Sequence, residues 1–264
     1  MNRYLIHALL FAAALLGTAQ AQSNKVIDVA TRSGITERIL LNAPPQPRAV
    51  VLLFNGSNGQ VEIKDNGELG AGRGNFLLRT RTLWNARGLA SVVVAPPSDH
   101  NEEPFLADFR DTPEHAADVQ ALISQLRQQF HVPVWLVGTS RGSLSAAAVA
   151  SRLAPPAGPD GIVLTSSILY DKQQRTVTAL PLDALQVPVL LVHHKRDACR
   201  QSNPADVPAL LSQIATAPRS EVMYIDGGQS QGDPCDSYAY HGFNGTESLV
   251  IDKIADWILR QDKK

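Results

Sequence analysis

Near the middle of the chain, Gly138-Thr139-Ser140-Arg141-Gly142 sets one serine between two glycines, with the apolar run VWLVG leading in and an alanine-rich run to Leu153 leading out. Glycine has no Cβ, so the chain can bend sharply on both sides of that serine without a clash. If a buried strand turns into a helix there, the hydroxyl is held out at the end of a sheet, where it can attack a carbonyl carbon. The plainer alternative is an ordinary turn whose serine caps the helix behind it. Gly-x-Ser-x-Gly in a strand-to-helix context favours the nucleophile.

A serine so placed needs a scaffold, and the hydrophobic pattern supplies one. Apolar runs predict strands over residues 26–29, 35–41, 49–54, 89–95, 132–137, 162–164, 187–192 and 221–225, the fourth stopped by Pro96-Pro97. AVVLLF, residues 49–54, is apolar throughout, as expected of a strand buried on both sheet faces. Helical spacing predicts helices within FLLRTRTLWNARG before Gly88, over 113–130 with Pro113 in its first turn, over 140–153, within 204–216 and over 246–260. Strands alternating with helices imply an α/β fold, a mostly parallel sheet covered on both faces. The mixed segment 165–188 offers a substrate wall without the composition of a separate lid. The glycines of 62–74 match neither a phosphate-binding nor a dinucleotide-binding pattern.

The 264-residue chain carries 24 basic and 25 acidic side chains, a balance that gives no case for nucleic-acid binding. Arg3, the short apolar run LIHALLFAAALLG and Ala19-Gln20-Ala21 read as a secretory signal peptide over residues 1–21, leaving one expected domain over 22–264. Export to the periplasm or the extracellular space follows, with no stable membrane insertion of the remaining chain, because the apolar run is short and no second span is present. Cys199 and Cys235 are the two cysteines, and in an exported chain they are expected to form one disulfide.

Together these features resemble the α/β-hydrolase superfamily, and in particular secreted serine esterases, over roughly residues 35–261. The order nucleophile, acid, histidine is matched by Ser140 in GTSRG, Asp197 in HHKRDAC and His241 in YHGFN. The resemblance implies a central, mostly parallel sheet with the site at its strand ends. It also implies two backbone donors for a negative oxygen: the N–H of Arg141, after the nucleophile, and one in FNGSNG near Gly56 and Ser57. The alternative for residues 55–59 is a simple turn, since no HGGG-type run occurs there.

The chemistry gives each residue a task. Serine must lose a proton as it attacks; a neutral histidine takes it and returns it to the leaving group, and an aspartate orients that histidine. Asp171, Asp183 and Asp206 are less well placed competitors for the acid. His193 and His194 fall at a strand end, where packing or local hydrogen bonding is expected rather than a base or a metal cluster. Asp108, Arg110, Asp111 and His115 form either a site rim or a solvated connector, and the Arg141 side chain is expected to pair or face solvent rather than touch substrate. Phe76, Leu77, Leu78 and Trp84 suit an acyl channel or, more simply, helical core. A Cys199–Cys235 bond would tie the loops of the acid and the base together. The expected activity is hydrolysis of a small-molecule carboxylic ester through an acyl-serine, a chemistry that requires no metal or organic cofactor. A peptidase, amidase or acyltransferase would use the same residues, and an inactive binding protein would keep the same scaffold.

Overall fold

The computed structural model describes residues 23–260; the expected signal peptide lies outside the described residues. Eight strands form one sheet: β1 Ser23–Ala30, β2 Thr36–Ala43, β3 Ala49–Phe54, β4 Leu89–Pro97, β5 Val134–Thr139, β6 Gly161–Thr165, β7 Val189–His194 and β8 Ser220–Ile225. Their order is β1-β2-β4-β3-β5-β6-β7-β8. β1 and β2 form an antiparallel hairpin closed at Gly34, whose φ of 75° suits a residue without a Cβ. β2 is also antiparallel to β4, and from β4 to β8 every pairing is parallel.

β3 is buried along its whole length, as its unbroken apolar sequence requires. Val50, Leu52 and Phe54 face one layer, formed by α3 (Pro113–Phe130), α4 (Arg141–Arg152) and α5 (Val207–Gln213). Ala49, Val51 and Leu53 face the other, formed by α1 (Phe76–Arg79), α2 (Leu83–Ala86) and α6 (Glu247–Leu259). The period-2 alternation of strand side chains thus divides one sequence run between two cores.

The helix expected before Gly88 is two short helices. Between them Thr80 turns its hydroxyl back onto the carbonyl of Phe76 at 2.7 Å, and Arg81 caps the carbonyl of Leu78 at 3.0 Å, closing α1. β4 runs on through Pro96 and Pro97, because Pro97 lies at the strand end opposite Glu37, beside an irregularity in the pairing with β2. No helix among the described residues is long and apolar enough to cross a membrane.

Candidate active site

Parallel strands place their C-terminal ends along one edge, and the loops that leave them meet there. Asn55–Gly59 follows β3, Ser140 follows β5, Asp197 follows β7 and His241 lies beyond β8.

Ser140 sits at φ 76° and ψ −120°, a strained backbone for a residue with a Cβ. Its own N–H still donates to the Thr165 carbonyl at 3.0 Å, so the turn is an extension of the β5–β6 ladder. Both flanking glycines are obligatory. A Cβ on Gly138 would lie 2.1 Å from the Gly142 carbonyl oxygen, and one on Gly142 would lie 2.2 Å from that of Phe54. The two glycines let α4 start directly against β3 and β5, which leaves the serine nowhere to go but outward. Ser140 caps no helix through its side chain.

Ser140 Oγ lies 3.0 Å from His241 Nε2, and His241 Nδ1 lies 2.9 Å from Asp197 Oδ2. The other carboxylate oxygen of Asp197 accepts the Cys199 N–H at 2.9 Å, and its side chain is sealed from solvent. His241 occupies a 3-10 turn, Tyr240–Gly242, held from both sides. Its carbonyl accepts the Ser166 hydroxyl at 2.7 Å, and the next carbonyl, of Gly242, accepts Arg79 at 2.6 Å. Behind the turn Phe243 packs on Phe76 with ring centroids 4.9 Å apart. A hydrogen-bonded chain therefore runs from serine to imidazole to carboxylate, the Ser-His-Asp arrangement typical of serine hydrolases.

Cys199 and Cys235 form a disulfide with Cα atoms 4.6 Å apart. Cys199 belongs to the loop of Asp197, and Cys235 to a loop whose residues 226–236 are all exposed. The bond fastens that loop beside the acid.

Gly56 packs its backbone against the serine: a Cβ added there would meet Ser140 Cβ at 3.0 Å. Ser57 follows at a φ of 50°. Arg141 opens α4, so its N–H has no carbonyl within its own helix. Its guanidinium turns aside to Asp171 at 3.3 Å, which engages one of the competing acids and draws residues 171–175 toward α4. Segment 165–188 does not wall the cavity over Ser140 as expected: Leu169 to Ala179 border a separate groove.

Like His115, Arg110 is a residue that sequence reasoning misplaced. It is neither rim nor solvated connector but 2% exposed, beneath the loop after β3. Its Nη2 donates to the Asn55 carbonyl at 2.9 Å and, more weakly, to those of Gly56 and Ser57; Nη1 donates to Ser145 Oγ at 2.9 Å. Burial, with the nearby Arg141 charge, pulls this guanidinium down to about 9, still protonated at neutral pH. Its neighbour His115 is buried too, pushed to about 3 by burial and therefore neutral. Asp108 is the exposed member of the group and pairs with Arg175.

His193 is fully buried and accepts the Ser167 N–H at 3.2 Å; burial, then the charge of His241, pushes it to about 3. His194 stacks on Tyr240 at 4.4 Å. Both do the packing and local bonding expected of them. Among the described residues no three His, Cys, Asp or Glu side chains are grouped to hold a metal.

A cavity of about 540 Å³ opens over Ser140 and His241. One wall is built from residues 55–60 and 70–76, the other from 235–237 and 241–242. Leu77, Leu78 and Trp84 are fully buried in the core, so of the four candidates for an acyl channel only Phe76 touches the cavity.

No protein-family model matches the chain, and no curated protein matches it by sequence. Its fold is nevertheless shared by solved structures. A dienelactone hydrolase from Anabaena variabilis superposes with a TM-score of 0.61 at 15% identity, over 90% of this chain and 97% of that one. Est1E from Butyrivibrio proteoclasticus, solved with ferulic acid bound, gives 0.61 at 14% identity, over 90% and 100%. XC6422 from Xanthomonas campestris, described as an α/β serine hydrolase without a lid, gives 0.58 at 12% identity, over 90% and 97%. At such identities the likeness concerns architecture, and the architecture is the α/β-hydrolase fold.

Proposed function

We propose that this protein is a serine-dependent hydrolase of carboxylic esters. The observation that carries the reading is the hydrogen-bonded chain from Ser140 Oγ through His241 to Asp197, with contacts of 3.0 and 2.9 Å, at a strained serine facing an open cavity. Ser140 Oγ attacks the ester carbonyl carbon while its proton passes to His241 Nε2; the C–O π bond opens to leave a tetrahedral oxyanion. The N–H of Arg141 and an N–H of the Gly56–Ser57 segment donate to that oxygen. The carbonyl re-forms as the alcohol departs with the proton from His241, leaving an acyl-Ser140. Water then attacks the acyl carbon, gives its proton to His241 and releases the acid, and the proton returns to Ser140. Asp197 holds the imidazole with Nε2 toward the serine and balances its charge when protonated.

Ester hydrolysis of a small molecule is supported by an open cavity of about 540 Å³ over Ser140, and by the dienelactone hydrolase among the chains of like fold. The signal peptide expected over residues 1–21 and the Cys199–Cys235 disulfide support a place outside the cytoplasm, in the periplasm or beyond the cell. The test is a serine-reactive phosphonate with a panel of esters of rising acyl length. Stoichiometric labelling of Ser140, mapped by mass spectrometry, with turnover of the short esters is the expected result. A folded protein that neither labels nor turns over any ester would sink the reading; labelling without ester turnover would move it to amide or acyl-transfer chemistry.

A further inference from the structure

The glycine-rich segment 62–74 has no task in the proton path, yet it forms much of one cavity wall. Its backbone is fixed rather than loose. The Glu62 N–H and carbonyl bond Ala71 and Gly70 at 3.1 and 3.0 Å, and its carboxylate accepts the Ala71 N–H at 3.2 Å. Gly72, at φ 83°, presses so closely on the loop after β3 that a Cβ there would lie 2.7 Å from the Gln60 carbonyl oxygen. Arg79 holds the Gly74 carbonyl at 2.8 Å with the same guanidinium that holds Gly242, next to His241. The segment is thus clamped to both walls of the site.

What this clamped backbone presents is Arg73. Its side chain is exposed at the cavity, and among the described residues no carboxylate pairs with it. The other arginines of the site are engaged: Arg79 with Glu247 at 2.9 Å, Arg141 with Asp171 at 3.3 Å, and Arg110 with buried oxygens. Apart from Cys235, His241 and Phe76, the remaining lining is glycine and uncharged or acidic polar residues, with no aliphatic side chain among them. The one acid on the lining, Asp236, lies on the opposite wall, with Oδ2 3.2 Å from where a Cβ on Gly232 would sit, so its carboxylate is turned to its own loop. A greasy acyl chain finds nothing to bury against here, whereas an anion finds a planar, permanently charged donor fork on a fixed backbone.

Building on the hydrolase reading, we propose that Arg73 sets specificity at this site, and that the favoured substrate is an ester that carries a free carboxylate. The guanidinium donates to that carboxylate at two points while the ester carbonyl sits over Ser140. Arg73 takes no part in proton transfer, so it acts on which ester is used.

The test compares the 4-nitrophenyl monoester of glutarate with the neutral analogue in which the free carboxylate is a primary amide. The readout is the ratio of kcat/KM, anionic over neutral. Arg73→Gln is expected to lower that ratio about five-fold or more, and Arg73→Lys to lower it less. Salt at about 0.5 M should lower it in the wild type and hardly in Arg73→Gln. A ratio equal in wild type and Arg73→Gln overturns the proposal. If the folded wild type turns over neither ester, the hydrolase reading fails separately, and calorimetric titration with glutarate decides on Arg73. Binding that Arg73→Gln weakens keeps the carboxylate site; equal binding, or none, removes it.

Discussion

Among the described residues three carboxyl groups are sealed from solvent, and two of them, Asp197 after β7 and Glu37 in β2, have opposite surroundings, the third being Asp118 in α3. Asp197 has a donor for each oxygen, the Cys199 N–H and the His241 ring. Glu37 has none for either, and it faces Asp118 of α3, whose Oδ1 pairs with Arg32 at 2.8 Å while Oδ2 is unpartnered. Arg32 in turn divides itself between Asp118 and Asp99. Burial first, then the Asp118 charge, raises Glu37 well above the ordinary carboxylate range, with Arg32 pulling the other way more weakly. Equal burial therefore yields two kinds of group. Donors on both oxygens fix the Asp197 carboxyl where it can serve a histidine, whereas burial without donors holds Glu37 toward its protonated form.

The largest effect should come from disturbing the first of the two. Ser140→Ala removes the attacking oxygen, His241→Ala the proton carrier, and Asp197→Asn the carboxylate that fixes the imidazole tautomer. Each is expected to cut kcat by ~10⁴-fold while circular dichroism and the unfolding midpoint change little. A folded Ser140→Ala with near-wild-type turnover would remove the nucleophile, whereas an indifferent Asp197→Asn would show that a buried, bonded carboxylate can be as idle as Glu37.

The surroundings of Asp197 also carry a covalent brace that those of Glu37 lack. Replacing both Cys199 and Cys235 by serine should cost about 2–4 kcal/mol of stability. It should also raise KM before it lowers kcat, because Cys235 sits on the cavity wall and the proton path does not run through sulfur. Non-reducing peptide mapping that finds two free thiols in the oxidised protein would refute the brace.

Arg110 allows a third comparison, with its neighbour His115. Both are buried, but the guanidinium has four acceptors and the imidazole has none. Arg110→Lys keeps a basic side chain of similar length and loses the fork that gathers the carbonyls of Asn55 to Ser57. kcat is expected to fall roughly ten-fold, with KM for a neutral ester shifting far less, if that loop supplies an oxyanion donor. A matched change in both constants would make Arg110 a support of the cavity wall alone.

These contrasts bound what the sequence disclosed. Strand positions were legible because β3 to β7 are apolar runs buried on both faces, and the Gly138 and Gly142 spacing was legible because close backbone contact admits no other residue. The order of Ser140, Asp197 and His241 could be read through resemblance. Arg110 could not: in DFRDTPEH an arginine that supports a loop looks the same as one in water, since the acceptors that distinguish them are backbone oxygens 53 to 55 residues away. Glu37 was equally silent, sitting in TERILL where an alternating strand ordinarily turns a charge to solvent. The split of the 76–88 helix depended on Thr80 bonding backward, a choice that packing makes and periodicity does not record.

The smallest expected effect concerns Glu37 itself, and its sign follows from proton counting. In the unfolded chain this carboxyl ionises at its ordinary value, near 4.5; in the fold it keeps its proton to well above that. Between those two values the folded state binds more protons than the unfolded state, so stability falls as pH rises. The slope is at most about 1.4 kcal/mol per pH unit for one proton. His115 acts on the acid side: lowered to about 3 from 6.5, it takes stability away as pH falls through that interval. Glu37→Gln deletes the alkaline contribution and leaves the acid one, and its amide N–H can donate to the unpartnered oxygen of Asp118. Urea unfolding at pH 5 and pH 8 should therefore show a smaller loss across that range for Glu37→Gln than for wild type, with similar stability at pH 5. An unchanged difference between the two pH values would mean that Glu37 is ionised in the fold, and that burial without donors does not decide its charge.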